Sequence, residues 1–190
     1  MGRWGAIMYY PSERSPKELY PDQTADPISG CVAGWSAWDF GRHLPDDFDR
    51  TIAATFGVPL LSAEVWDSDA ACLTFIGHEA PWQTVLHLDA YVGYVAEVGY
   101  VPFYADGTPM SEEDEAKLAA ADAKKFEVAR ERLAKAIPLG SVAAERATLW
   151  ARAVGLNPLT VEQATAAFDG EDVFVEDTLW EVAKALGVLA

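Results

Sequence analysis

The sequence predicts an α+β fold: a mainly antiparallel sheet with one packed helix over residues 1–108, then a helical subdomain over 109–190 that packs on it as one folding unit. Three observations carry this expectation. Period-2 alternation dominates the first half, capped apolar stripes of helical period dominate the second, and the two do not interleave as a doubly wound α/β chain would require.

Arg3–Tyr10 (RWGAIMYY) is rich in β formers and reads as a strand that Pro11 stops. Pro11–Pro27, with four prolines and scattered charges, reads as a long surface loop. Cys31–Phe40 (CVAGWSAWDF) alternates again, with Trp35, Ala33 and Ala37 on one face and Val32 and Trp38 on the other. Pro45 suits a first helical turn, Asp46 and Asp47 favour its positive end, and Phe48, Ile52 and Phe56 form a stripe that Gly57 closes. Pro59–Trp66 places Leu61, Ala63 and Val65 opposite Ser62 and Glu64, a half-buried strand. Asp67-Ser68-Asp69 is a turn, and Ala71–Ile76 returns as the hairpin partner. Gln83–Val95 alternates Thr84, Leu86 and Leu88 against Val85, His87 and Asp89, a further strand, and the segment after Gly99 is a Pro- and Gly-bearing connection.

The character changes at Ser111, a capping hydroxyl with Asp114 three residues on. Ala119, Ala123, Phe126, Ala129, Leu133 and Ile137 make an apolar stripe, Glu113/Lys117 and Glu131/Lys135 are i,i+4 pairs, and Pro138 ends the helix. Ser141–Val154 is the next helix, with Ala143, Ala147, Trp150 and Val154 inward and Gly155 as its stop. Thr160 and Gln163 form a capping box for a helix reaching Phe168, and Asp177–Leu186 is the last helix, stopped by Gly187.

The formal charge is −16, from 30 acids against 14 lysines and arginines. There is little cation to neutralise phosphates, so nucleic acid is a poor partner. No Lys or Arg occurs between Arg50 and Lys117, while Glu64, Asp67, Asp69, Glu79, Asp89, Glu97, Asp106 and the run 112–115 supply acid. A field of one sign draws partners of the other, so the expected partner is a basic protein. Half the residues are hydrophobic (51%), too many for a disordered chain, yet no run approaches about eighteen apolar residues, the minimum for a membrane span. With no signal-type N-terminus the expected location is cytoplasmic, where Cys31 and Cys72 are buried thiols rather than a disulfide.

Chemistry-bearing motifs are few. Asp67 and Asp69, two apart on a turn, could face an oxygen-seeking cation, although Asx side chains serve turns in the same arrangement and the rest of a calcium loop is missing. His87 and Asp89, with Asp67 and Asp69, are the candidate catalytic carboxylate and histidine set of a small enzyme or accessory biosynthetic protein; ligand spacing such as HExxH is absent. A Cys–His nucleophile would need Cys31 or Cys72 beside His43, His78 or His87. No P-loop, G-x-G-x-x-G or G-x-S-x-G occurs, so no cofactor is expected. Trp35, Trp38, Trp66, Trp82, Tyr91, Tyr94, Tyr100 and Tyr104 interleave with the acids, as in an interface that anchors a basic partner. The favoured expectation is therefore a non-enzymatic acidic binding protein of the immunity or antitoxin kind, using Glu64, Asp67, Asp69, Trp82, Asp89 and Tyr91. A self-associating structural protein is the third.

The run Phe56–Phe75 (FGVPLLSAEVWDSDAACLTF) resembles a pattern recurring in small actinobacterial proteins: helix end, Gly-x-Pro, apolar strand, Asp-x-Asp turn, second strand. A looser likeness extends to the C-terminal third. After Gly77 a Trp- and Tyr-rich stretch stands where that pattern has a more polar loop. The resemblance implies a compact cytosolic α+β protein and assigns no activity.

Overall fold

The computed structural model describes residues 4–41, 44–45, 47–96, 108–170 and 172–190. Within them β1 spans Gly5–Tyr10, β2 Asp26–Ile28, β3 Ser36–Phe40, β4 Leu60–Trp66, β5 Ala70–Ile76 and β6 Trp82–Leu86. They form one sheet, ordered β2-β3-β1-β4-β5-β6, antiparallel at every pairing. The helices are α1 (Phe48–Phe56), α2 (Leu88–Val95), α3 (Glu112–Ala136), α4 (Gly140–Ala153), α5 (Val161–Phe168) and α6 (Val175–Ala185). The α+β class holds.

The sheet is covered on two sides for a topological reason. β3 and β4 both run antiparallel to β1, which lies between them, so they run parallel to each other and need a crossover along one face. α1 is that crossover, and its Phe48 and Ile52 pack on Ala6, Met8, Tyr10, Phe40 and Leu60. The other face carries Ile7, Tyr9, Leu61, Ala63, Val65, Leu73 and Phe75 into a core shared with α4, α5 and α6. All six residues of β1 are buried, which is why its sequence is apolar on both faces.

Several boundaries differ from the sequence reading. The Pro11–Pro27 loop holds a 3-10 turn at Pro16–Glu18, capped by Ser15, and Asp26–Ile28 already forms the edge strand β2, where Pro27 is tolerated. β3 starts only at Ser36. Gly30 and Gly34 take positive φ, the Val32–Trp35 turn intervenes, and Val32 joins Trp35 against the helical core. Pro45 precedes α1, its carbonyl accepting from Phe48 N–H. The expected strand Gln83–Val95 stops at Leu86; His87 turns the chain at φ 54° and α2 follows. In α3, Ala119 and Ala123 are exposed, while Leu118, Asp122, Phe126, Ala129 and Leu133 are half-buried and no residue is fully buried.

The caps read from sequence are present. Ser111 Oγ accepts from Asp114 N–H, Thr160 and Gln163 form a reciprocal capping box, and Gly57, Gly155 and Gly187 sit at positive φ just past α1, α4 and α6. No helix among the described residues is long and apolar enough to cross a membrane.

Candidate functional site

On the α1 side of the sheet, register lines up two rows of side chains. One is Ala6, Glu64, Cys72 and Val85; the next is Met8, Ser62, Thr74 and Gln83. The β1 end of each row is apolar and packs with Phe48 and Ile52. Past β1 both rows turn polar before the first ends on Val85, and there a recess of about 300 Å³ opens, lined by Ser62, Glu64, Cys72, Thr74 and Gln83 with Asp47, Asp49 and Arg50 from the start of α1. A strand face that met a second apolar layer would carry apolar residues at these positions; polar ones are tolerated where water, a polar ligand or a neighbouring side chain pairs with them.

The recess is partly ordered by its own bonds. Ser62 Oγ donates to Asp49 Oδ2 (3.3 Å) and Gln83 Nε2 to Thr74 Oγ1 (3.0 Å). Arg50, the one cation among the described residues that line the recess, donates to Asp47 Oδ1 at 3.2 Å. Among the described residues Asp47, Asp49 and Glu64 against Arg50 leave the lining net acidic.

Beyond Glu64 the same face becomes aromatic. Tyr91 stacks on Trp66 (4.6 Å, 26°), Tyr94 lies 6.1 Å from Trp66, and Trp4 meets Tyr94 edge-on (5.8 Å, 80°). Tyr91 and Tyr94 share a face because α2 spaces them i,i+3. Trp4 is 43% exposed. At the far end of this ladder Tyr94 donates to Asp69 Oδ2 (3.1 Å), so acids stand at both ends of an aromatic strip.

Burial, and after it the Glu64 carboxylate, pushes the Cys72 thiol from its ordinary 9.0 up to about 12. Burial raises Tyr91, which shares a hydrogen bond with Cys72; Tyr94 is pushed up to about 12 by burial and by Asp69; burial raises Tyr10. Cys31 is raised by burial as well. A thiol held protonated is a poor nucleophile. These groups keep protons in the folded state that the unfolded chain releases, so each favours folding less as pH rises through its unfolded value. The melting temperature is therefore expected to fall steadily from about pH 9 towards 12. A thermal melt at each pH checks this, and a flat profile would contradict it.

The hairpin tip is fixed by α6. Asp67 and Ser68 both take positive φ, as a primed hairpin turn requires, and Asp69 N–H closes it on Trp66 O (2.9 Å). Ser68 O accepts from Val175 N–H (2.9 Å) and Ser68 Oγ donates to Glu176 Oε1 (2.7 Å). His87 adds a third tie. Its Nδ1 donates to Asp69 O (2.9 Å), because a carbonyl only accepts. Its Nε2 lies 2.9 Å from Thr178 Oγ1, whose single hydrogen serves either that nitrogen or Asp172 Oδ2 at 3.0 Å.

The expected site residues thus separate. Glu64 and Tyr91 belong to the recess and its aromatic margin, and Asp67 and Asp69 to the tied hairpin tip. His87 and Asp89 line one open depression with Leu88, Arg130 and Asp172, in which the histidine ring is engaged with Asp69 O and Thr178, and Asp89 accepts from Arg130 Nε of α3 at 2.9 Å. Trp82 is a correction. At 8% exposed and stacked on Phe75 it is core on the helical side, not an anchor of the acidic face. Among the described residues no three His, Cys, Asp or Glu gather as metal ligands. His78 is exposed, and His43, Tyr100 and Tyr104 lie outside the described residues.

Asp49, Ser62, Thr74 and Gln83 are site residues that the sequence reading missed. For Ser62, Thr74 and Gln83 a signal is present in the strands, where alternation points them to one face; Asp49 lies on α1 and has no such signal. Compared with protein-family models, curated proteins and solved structures, the chain matches none.

Proposed function

We propose that this chain is a non-enzymatic binding protein that presents the α1 side of its sheet to a basic protein, in the manner of an immunity or antitoxin-like factor acting in the cytoplasm. The observation that carries the reading is the recess itself: a polar floor of Ser62, Glu64, Thr74 and Gln83 under the Asp49 wall, continuous with the Trp66–Tyr91–Tyr94 strip. A lysine or arginine side chain of the partner enters the recess, where Asp49 and Glu64 supply charge-assisted acceptors. The aromatics supply area to desolvate, and Asp67 and Asp69 at the tip steer the approach.

The commitments of the titratable side chains agree with a binding role. His87 and Asp89 are used in ties between elements, and Cys72 is held as the neutral thiol. Affinity capture from the source cell tests the proposal. The wild-type chain is expected to retain a basic protein at low salt, to release it at high salt because exposed charges are screened beyond about 8 Å at physiological ionic strength, and to lose it in a Glu64→Gln/Asp49→Asn variant. Failure to retain any basic protein at either salt overturns the reading.

A further inference from the structure

We propose that a second cleft, between the β5–β6 connection and α4, binds a small single-ring aromatic carboxylate through Arg146. This cleft belongs to the helical side of the sheet and is independent of the acidic recess. It measures about 170 Å³. A cavity of about 150 Å³ is large enough for benzene, so this one takes one ring and little more.

Its aromatic wall is fixed before any ligand arrives. Phe75 and Trp82 oppose each other on β5 and β6 and stack at 4.2 Å and 4°. Trp150 meets Phe75 edge-on at 5.2 Å and 78°, and its Nε1 donates to Ile76 O (3.0 Å), which sets the indole plane. Gly77 leaves room for that ring, since a Cβ there would come within 2.9 Å of Trp150 Nε1.

The polar feature is Arg146, whose guanidinium lies over the Trp82 ring at 4.7 Å. Arg14, Arg50 and Arg130 each grip an acid. Arg146 makes no hydrogen bond or ion pair among the described residues, in a chain with 30 acids. A guanidinium stacked on an aromatic face is held in place while its N–H fork stays available, and a carboxylate matches that fork. Leu149 and Val154 complete the apolar lining. His78 and Glu79 line the cleft as exposed residues, and Glu79 disfavours an anion at its own end. The ring therefore lies against the aromatic wall with its carboxylate towards Arg146.

Benzoate and benzylamine, similar in size and opposite in charge, test this on the full chain by tryptophan fluorescence and amide shifts. Benzoate is expected to bind saturably, with shifts at Gly77, Trp82, Arg146 and Trp150, and benzylamine at least about tenfold more weakly. Arg146→Gln keeps much of the stem over Trp82, so it is expected to lower the melting temperature by only a few degrees while weakening benzoate about ten- to hundredfold. Ala153→Leu, on the exposed side of α4, fills the cleft and abolishes binding. Absence of saturation by benzoate, equal binding of benzylamine, or undiminished binding to Arg146→Gln overturns the proposal.

Discussion

Replacing Phe75 by alanine lowers the stability of the fold by about 3–5 kcal/mol. Phe75 is 1% exposed and lies between two tryptophans, with Trp82 flat against one face and Trp150 edge-on. The truncation removes a ring from the shared core of sheet and helices, and two large indoles cannot both close on the vacancy, because Trp150 is held by Ile76 O and Trp82 by its strand. Denaturant unfolding is the measurement. The midpoint shifts down while the slope stays constant, since the extent of surface exposed on unfolding is unchanged. A loss below about 1 kcal/mol would mean that α4 does not pack on β5 as described.

Gly187→Ala is expected to cost at least about 3 kcal/mol, in two parts. An L-residue at φ 74° bears about 1–2 kcal/mol of left-handed strain. The added Cβ would also stand 2.7 Å from Asn157 O and 3.0 Å from Asn157 C, backbone atoms that can yield only by moving the α4–α5 connection. The tail after Gly187 is anchored, because Val188 O accepts from Val32 N–H and Ala190 N–H donates to Gly30 O, so the strain spreads to β3's approach. Gly155→Ala is the control. Its φ is 85° but no atom lies within 4 Å of the new Cβ, so it bears the conformational part alone, about 1–2 kcal/mol. Thermal melts of the two variants side by side separate clash from strain, and equal losses would contradict the close approach of Asn157.

The fold class was legible because its signals are local. The Ser111 cap, the Thr160–Gln163 box, the positive-φ glycines and the alternation of β4 and β5 each depend on a few neighbouring residues, and each is found where the pattern places it. What was not legible depends on tertiary contact. His87 interrupts an alternating run that reads as one strand through Val95, and what turns it into a helix start is a left-handed residue whose ring bonds Asp69 and Thr178, 91 positions away in the latter case. The 25-residue α3 carries alanines on every side, so the stripe that half-buries against α2 could not be chosen from its sequence alone.

The candidate site was legible in part for the same reason. Glu64 and Tyr91 were expected in a binding face, and Trp82, equally aromatic and equally close to acids in sequence, was not distinguishable from them until its strand register put it beside Phe75. The charge gap between Arg50 and Lys117 pointed to Glu64 as part of an acidic face, and the structure lays that gap over β4 to β6, α2 and the first turn of α3. The gap could not show that Asp49, on a helix, would stand over Ser62 and close the wall of the recess.

The proposed role of this recess is to receive a cationic side chain. The most direct measurement is a titration of the isotope-labelled chain with N-acetyl-arginine amide, following amide shifts residue by residue. Saturable shifts confined to Asp49, Ser62, Glu64, Cys72 and Thr74 are expected, weakened by salt and lost in Glu64→Gln/Asp49→Asn. Shifts scattered over the acidic surface without saturation, or a response unchanged by that double substitution, would contradict it.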